Sequence, residues 1–120
     1  MLIADHKFDQ MFSFSEKRSN LLISKSLSEY MEYNSRFLTR VYPTGLRINS
    51  SNFDPIPHWL AGCQLVAQNF QTFGSSINLN LDKPLEINYA LFSGNGHCGY
   101  ILKPLKSTCV ILKLKVLLHA

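Results

Sequence analysis

The stretch "TRVYPTGLRINSSNFDP", residues 39–55, holds the side chains best suited to chemistry in this chain. Arg40 and Tyr42 stand two apart, and in an extended strand such residues face the same way. A permanently charged guanidinium fork and an aromatic ring would then share one face, with Val41 on the other. No catalytic acid–base pair accompanies them. Read from residue type alone, Arg40 is a salt-bridging strand end, Tyr42 a core aromatic and Ser13 a helix cap. The cysteines Cys63, Cys98 and Cys109 are odd in number and widely spaced, without a CxxC pair. Neither a disulfide framework nor a zinc site is expected from them, and a reducing cytosol is.

The elements that must carry these residues alternate in kind. "SFSE" (13–16) has the form of a capping box and predicts a short helix to about Ile23. "SLSE" (26–29) repeats that form. Leu27, Tyr30, Met31, Phe37 and Leu38 then fall at helical spacing, predicting a second helix to about Thr39. "RVYP" reads as a short strand stopped by Pro43 and Gly45. "DPIPHWLAG" reads as a brief helix with Asp54 as cap, Pro55 at its first position and Gly62 just past its end. "QLVAQNF" (64–70) and "GYILKP" (99–104) look like strands buried on both faces. The stretch between them, 73–97, is rich in Gly, Ser and Asn and reads as loop. "CVILKLKVLL" (109–118) alternates, as a half-buried antiparallel strand does.

Composition sets the frame. The 120 residues, 46% hydrophobic and 17% charged, suit one modest globular domain. A net charge of +4 is a mild bias toward anionic partners and no more. The opening "MLIADHKFDQ" is charged within its first residues, which argues against a signal peptide. No apolar run reaches the length of a membrane span. Buried strands alternating with helices imply an α/β fold with a largely parallel sheet. A complete (β/α)8 barrel takes roughly 250 residues, so only part of one is expected here.

Several motifs occur together and in order: "SFSE", "RVYPTGLR", "SSNFDP", "WLAGCQLVA", "NFQT" and "CGYILKP". In this they resemble the Y region of eukaryotic phosphoinositide-specific phospholipase C, the C-terminal half of that family's catalytic TIM barrel. The resemblance runs from about residue 8 to 104, and the wording of "DPIPHW" and "DKPLEINYALF" is nearest the gamma isoforms. It implies an enzyme that cuts phosphatidylinositol 4,5-bisphosphate into diacylglycerol and inositol trisphosphate. It also implies two catalytic histidines and a carboxylate-bound calcium, all in the X region, the first half of the barrel. His6, His58, His97 and His119 match none of those positions, so no catalytic residue is expected in this chain. By the same resemblance Ser13 hydrogen-bonds a ring phosphate of the headgroup, Arg40 grips the 4-phosphate and Tyr42 packs against the inositol face. The remaining motif residues keep their plain readings. "SSN" and "NFQT" are turn and strand-end residues, Cys63 and Cys98 small buried hydrophobes, and Trp59 a packing residue.

The chain departs from the family pattern in three places. "FGSSINLNL" (73–81) stands where the pattern has one proline, an insertion that a surface loop absorbs cheaply. The family's apolar ridge, which dips into the membrane, falls here on Asn20, which is polar, and on Leu46, which is apolar. After "LKP", residues 105–120 resemble a shortened linker and the first strand of a C2 domain. The expected organisation is therefore a half barrel over 1–104 followed by 105–120. The expected partners are a phosphoinositide headgroup, the X half of the same barrel and a membrane surface. The expected location is cytoplasmic, peripheral at the inner membrane surface, with no nucleic acid involved. A catalytically inactive phospholipase C-like protein that binds inositol phosphates or scaffolds signalling partners is the alternative.

Overall fold

Strand β1 (Met11–Ser15) follows from the alternation in MFSFS, which sends Phe12 and Phe14 to one side and Met11 and Ser13 to the other. The computed structural model describes residues 7, 10–71 and 83–103. After β1 come helix α1 (Glu16–Arg36), strand β2 (Leu38–Tyr42), helix α2 (Ile56–Leu60), strand β3 (Leu65–Val66) and helix α3 (Lys83–Ser93). The three strands form one parallel sheet in the order β1-β2-β3.

The cap of α1 lies two residues later than the sequence suggests. Ser15, extended at φ −65° and ψ 153°, accepts the amide of Arg18 through its hydroxyl at 3.3 Å. Ser13 is taken up by the sheet as the register partner of Arg40. Residues 16–36 (α1) are two helical runs joined across a kink where the second was expected to begin: Ser26 leaves the helical region at φ −150° and ψ 48°. The helix stops at Arg36, so Leu38 and Thr39 belong to β2 and not to the helix. Leu27 is exposed, whereas Leu22, Tyr30 and Tyr33 are buried. Tyr30 meets Phe14 edge-on at 6.1 Å between ring centroids, and Tyr33 meets Phe12 at 6.0 Å. Val41, Phe53, Ala61 and Cys63 complete this core, with Val66 packed against it.

The cap of α2 falls on Pro55, one residue later than expected, while Asp54 accepts the amide of Ile56 at 3.0 Å just ahead of the helix. Gly62 follows the helix at φ 85°, in the left-handed region that glycine tolerates. The strand read over 64–70 shrinks to Leu65–Val66, because Asn69 turns away to bond with Asn52. Covered on one face only, β3 leaves Leu65 exposed.

The largest departure is α3, read as loop. Its surroundings are rich in Gly, Ser and Asn, but Pro84 sits in the first turn, where proline suits a helix, and Leu85 buries completely. Residues 99–103 form no strand; Lys103 instead reaches the carbonyl of Asn34 at 2.6 Å. Cys98, expected buried, is exposed, while Cys63 is buried. The insertion at 73–81, Cys109 and the segment 105–120 with its expected C2 strand lie outside the described residues.

The shifted cap has a direct check. Ser15→Ala should cost about 1 kcal/mol in urea unfolding, the usual loss for an N-cap hydroxyl. Ser13→Ala should leave the midpoint nearly unchanged. The reverse order would restore the cap to Ser13.

Candidate functional site

The alternation of β2 sorts its side chains sharply. Thr39 and Val41 are fully buried toward α1, while Leu38 and Arg40 are exposed on the opposite face and Tyr42 is half-buried there. Parallel register aligns neighbouring strands, so Ser13, Arg40 and Leu65 form one row across the sheet and Ser15 and Tyr42 the next. The guanidinium carbon of Arg40 lies 5.5 Å from the centre of the Tyr42 ring, in cation–π contact. That ring orients the fork, and among the described residues no carboxylate pairs with it. Ser13, Arg40 and Tyr42, the three residues singled out in the sequence, thus share one open face near the C-terminal ends of the strands. Leu46 lies in the following loop at the same end and is 72% exposed. Asn20 is exposed on α1.

Other polar residues of the site were not foreseen. Glu16, the first residue of α1, is only 4% exposed. It does not reach back as a capping-box carboxylate. Both its oxygens accept from Arg47, Nε to Oε1 and Nη2 to Oε2, each at 2.8 Å. Arg47 Nη1 also donates to Ser51 Oγ at 3.0 Å and to the Asn52 carbonyl at 3.1 Å. The signal was in the sequence, in the second arginine of "RVYPTGLR", but nothing local says which carboxylate that arginine meets.

Behind the sheet runs a buried polar chain. Ser19 Oγ bonds His58 Nδ1 at 2.8 Å and Tyr30 OH at 3.0 Å. The Cys63 thiol donates to Tyr30 OH at 3.2 Å. Asn34 donates to the Ala61 carbonyl at 2.8 Å and accepts from Thr39 Oγ1 at 2.7 Å. Burial raises the pKa of Tyr30 and of Cys63, so both stay protonated. Burial also lowers the pKa of His58, against the opposing pull of Glu16 and Asp54. These groups face the core, away from Arg40, and serve packing. Among the described residues no three His, Cys, Asp or Glu side chains gather as a cation site, so none of them fits the calcium that the resemblance implies. No helix among them is long and apolar enough to cross a membrane.

Parallel strands backed by helices on one face, with polar residues toward the strands' C-terminal ends, define a segment of a (β/α) barrel. The chain belongs to the family described as "Phosphatidylinositol-specific phospholipase C, Y domain", whose model matches residues 2–106. It is 45% identical over 103 residues to mouse 1-phosphatidylinositol 4,5-bisphosphate phosphodiesterase eta-1, a match covering 86% of this chain and 6% of that protein. A gamma relative, plc-3 of Caenorhabditis elegans, is 45% identical over 85% of this chain and 7% of its own. Human delta-3 is 46% identical over 79% of this chain and 11% of its own. These identities do not separate gamma from eta or delta. The crystal structure of PLC21 from S. officinalis superposes with a TM-score of 0.67 at 35% identity, covering 85% of this chain and 13% of that one. The chain therefore spans a small part of each protein it matches.

His58 ties this packing to pH. Its native pKa lies below the ordinary 6.5, so the unfolded chain takes up a proton that the native one resists. The stability this histidine contributes is complete above pH 6.5 and is lost as pH falls through its lowered native pKa. Melting temperature should drop over that acid interval, and His58→Gln should flatten this part of the curve. An unchanged slope in the variant would show that the acid sensitivity does not arise from His58.

Proposed function

We propose that this chain supplies the headgroup-binding part of a phosphoinositide phospholipase C, an enzyme cleaving phosphatidylinositol 4,5-bisphosphate to diacylglycerol and inositol trisphosphate. One observation carries this reading: Arg40 stands on an open sheet face, oriented by Tyr42, with Ser13 beside it and no carboxylate partner among the described residues. A structural arginine at a strand end would be expected to have such a partner. A guanidinium fork held by a ring suits a phosphate, whose oxygens it can grip bidentately. The Ser13 hydroxyl can donate to a neighbouring phosphate oxygen, and the Tyr42 ring offers an apolar wall to the carbons of the inositol. Leu46 projects from the same end and suits an apolar contact with the membrane surface, peripheral and on the cytoplasmic side. Calcium, if bound, would be held by the X half of the barrel. No chemical step is assigned to residues of this chain.

The 120 residues alone should release no inositol trisphosphate from bisphosphate vesicles, with or without calcium, since no acid–base pair faces Arg40 among the described residues. Release by the purified chain would overturn this division of labour.

Joined to the X half of a relative, Arg40→Ala should remove charge-assisted hydrogen bonds worth about 1.5–3 kcal/mol. That corresponds to roughly one to two decades in the rate on the bisphosphate lipid. Unphosphorylated phosphatidylinositol should be cleaved nearly as before, so selectivity falls. Arg40→Lys should recover part of the loss, because a point charge cannot reproduce the fork. Equal losses on both lipids with a lowered melting temperature would make Arg40 a structural residue. Binding of inositol trisphosphate without turnover in any such fusion would favour an inactive, phospholipase C-like protein.

A further inference from the structure

Glu16 and Arg47 do more than close a loop. Glu16 follows directly on β1, and its Oε1 also accepts the amide of Thr44 at 3.3 Å, two residues beyond Tyr42. One buried carboxylate thus bridges the ends of the strand that carries Ser13 and the strand that carries Arg40 and Tyr42. Arg47 extends the bridge to Ser51 and Asn52. Asn52 in turn donates to the Asn69 carbonyl at 2.8 Å and accepts the Asn69 amide. Asn69 Nδ2 returns to the Ser51 carbonyl at 3.3 Å. A polar belt therefore ties together the segments that leave all three strands at their C-terminal ends.

Such a belt is a poor way to gain stability alone. Removing a carboxylate and a guanidinium from water costs nearly as much as their attraction returns, and apolar residues of similar volume often do as well. Its distinctive product is position. With the Arg47 side chain turned inward, its neighbours turn out: Leu46 is 72% exposed and Ile48 is 96% exposed. We propose that Glu16 and Arg47 are positioning residues for the ligand face. They fix the height of Tyr42 beside Ser15, and through the Tyr42 ring the orientation of the Arg40 fork. This rests on reading Ser13, Arg40 and Tyr42 as the headgroup face, and the test separates the two ideas.

The assay uses the full chain joined to the X half of a relative, with vesicles containing phosphatidylinositol 4,5-bisphosphate or phosphatidylinositol alone. Arg47→Lys keeps a charge near Glu16 but cannot hold Glu16, Ser51 and Asn52 together. It should lower the rate on the bisphosphate lipid about tenfold, as small misplacements of binding groups do. The rate on the unphosphorylated lipid and the melting temperature should move little. In an Arg40→Ala background the same substitution should leave the ratio of the two rates unchanged, because its effect passes through Arg40. If Arg40→Ala itself leaves the ratio intact, the headgroup reading fails. If Arg40→Ala lowers the ratio but Arg47→Lys slows both lipids equally, or in step with the melting temperature, the positioning role is overturned. Should Arg47→Lys not fold, Glu16→Gln is read in the same way, and failure of both to fold assigns the pair to folding alone.

Discussion

Asn34 is the point on which the packing converges. Fully buried near the end of α1, it donates to the Ala61 carbonyl and the Cys63 sulfur and accepts from Thr39. Its own carbonyl, freed by the end of the helix, accepts from Gln64 Nε2 and from Lys103 Nζ, each at 2.6 Å. Helix ends leave such carbonyls without partners, and here two distant segments supply them. A single residue thereby joins α1, β2, the turn before β3 and the residue at 103. The close fit extends to Gly62, where a Cβ would meet Lys103 Nζ at 3.1 Å on a backbone already at positive φ. The "GCQ" of the sequence motifs and the lysine of "LKP" are parts of this joint.

The joint lies where β2 begins, and the Glu16–Arg47 pair lies where β1 and β2 end. The sheet is thus fastened at both ends by polar groups and between them by Phe12, Phe14, Tyr30, Tyr33 and Val41. The two fastenings differ in consequence. Barrel folds keep stability residues at the N-terminal ends of their strands and ligand residues at the C-terminal ends. Asn34 is of the first kind, with helix end and neighbours mutually satisfied and nothing left over. At the other end Arg47 is satisfied in the same way, yet Arg40, two residues before the end of β2, is matched among the described residues by a ring and no carboxylate.

Much of this was legible in the residues. The i, i+2 spacing of Arg40 and Tyr42 placed them on one face because strand alternation is a geometric rule without competitors. Motif order gave the family because those residues are held by specific contacts, such as Gln64 on the end of α1. The N-cap was misplaced since Ser13 and Ser15 present the same hydroxyl to local rules. Only pairing with Arg40 decides which serine belongs to the sheet. Helix α3 was missed because Gly, Ser and Asn in its flanks outweighed Pro84 and Leu85 at its start. The partner of Arg47 was out of reach, since 31 residues of sequence separate it from Glu16 and nothing local selects that carboxylate over the others.

The open face itself sets a final constraint. Parallel sheets are normally covered on both sides, yet here Met11, Leu38 and Leu65 are exposed on the face that also carries Arg40. Met11 and Leu38 form the row nearest the N-terminal ends, Leu65 continues the row of Ser13 and Arg40, and Ser15 and Tyr42 form the row toward the ends where Leu46 and Ile48 project. Closure of a barrel over this face would bury these aliphatic side chains and place the arginine, nearer the mouth than Met11 and Leu38, in a water-poor pocket. Ionic contacts strengthen as water is excluded, because the local dielectric falls. On the proposed headgroup reading, the same closure that hides Leu38 would raise the worth of each bond Arg40 could make to a phosphate. On that reading, folding of the barrel and affinity for an anionic headgroup would be one event, with the sheet face as the place where the two meet.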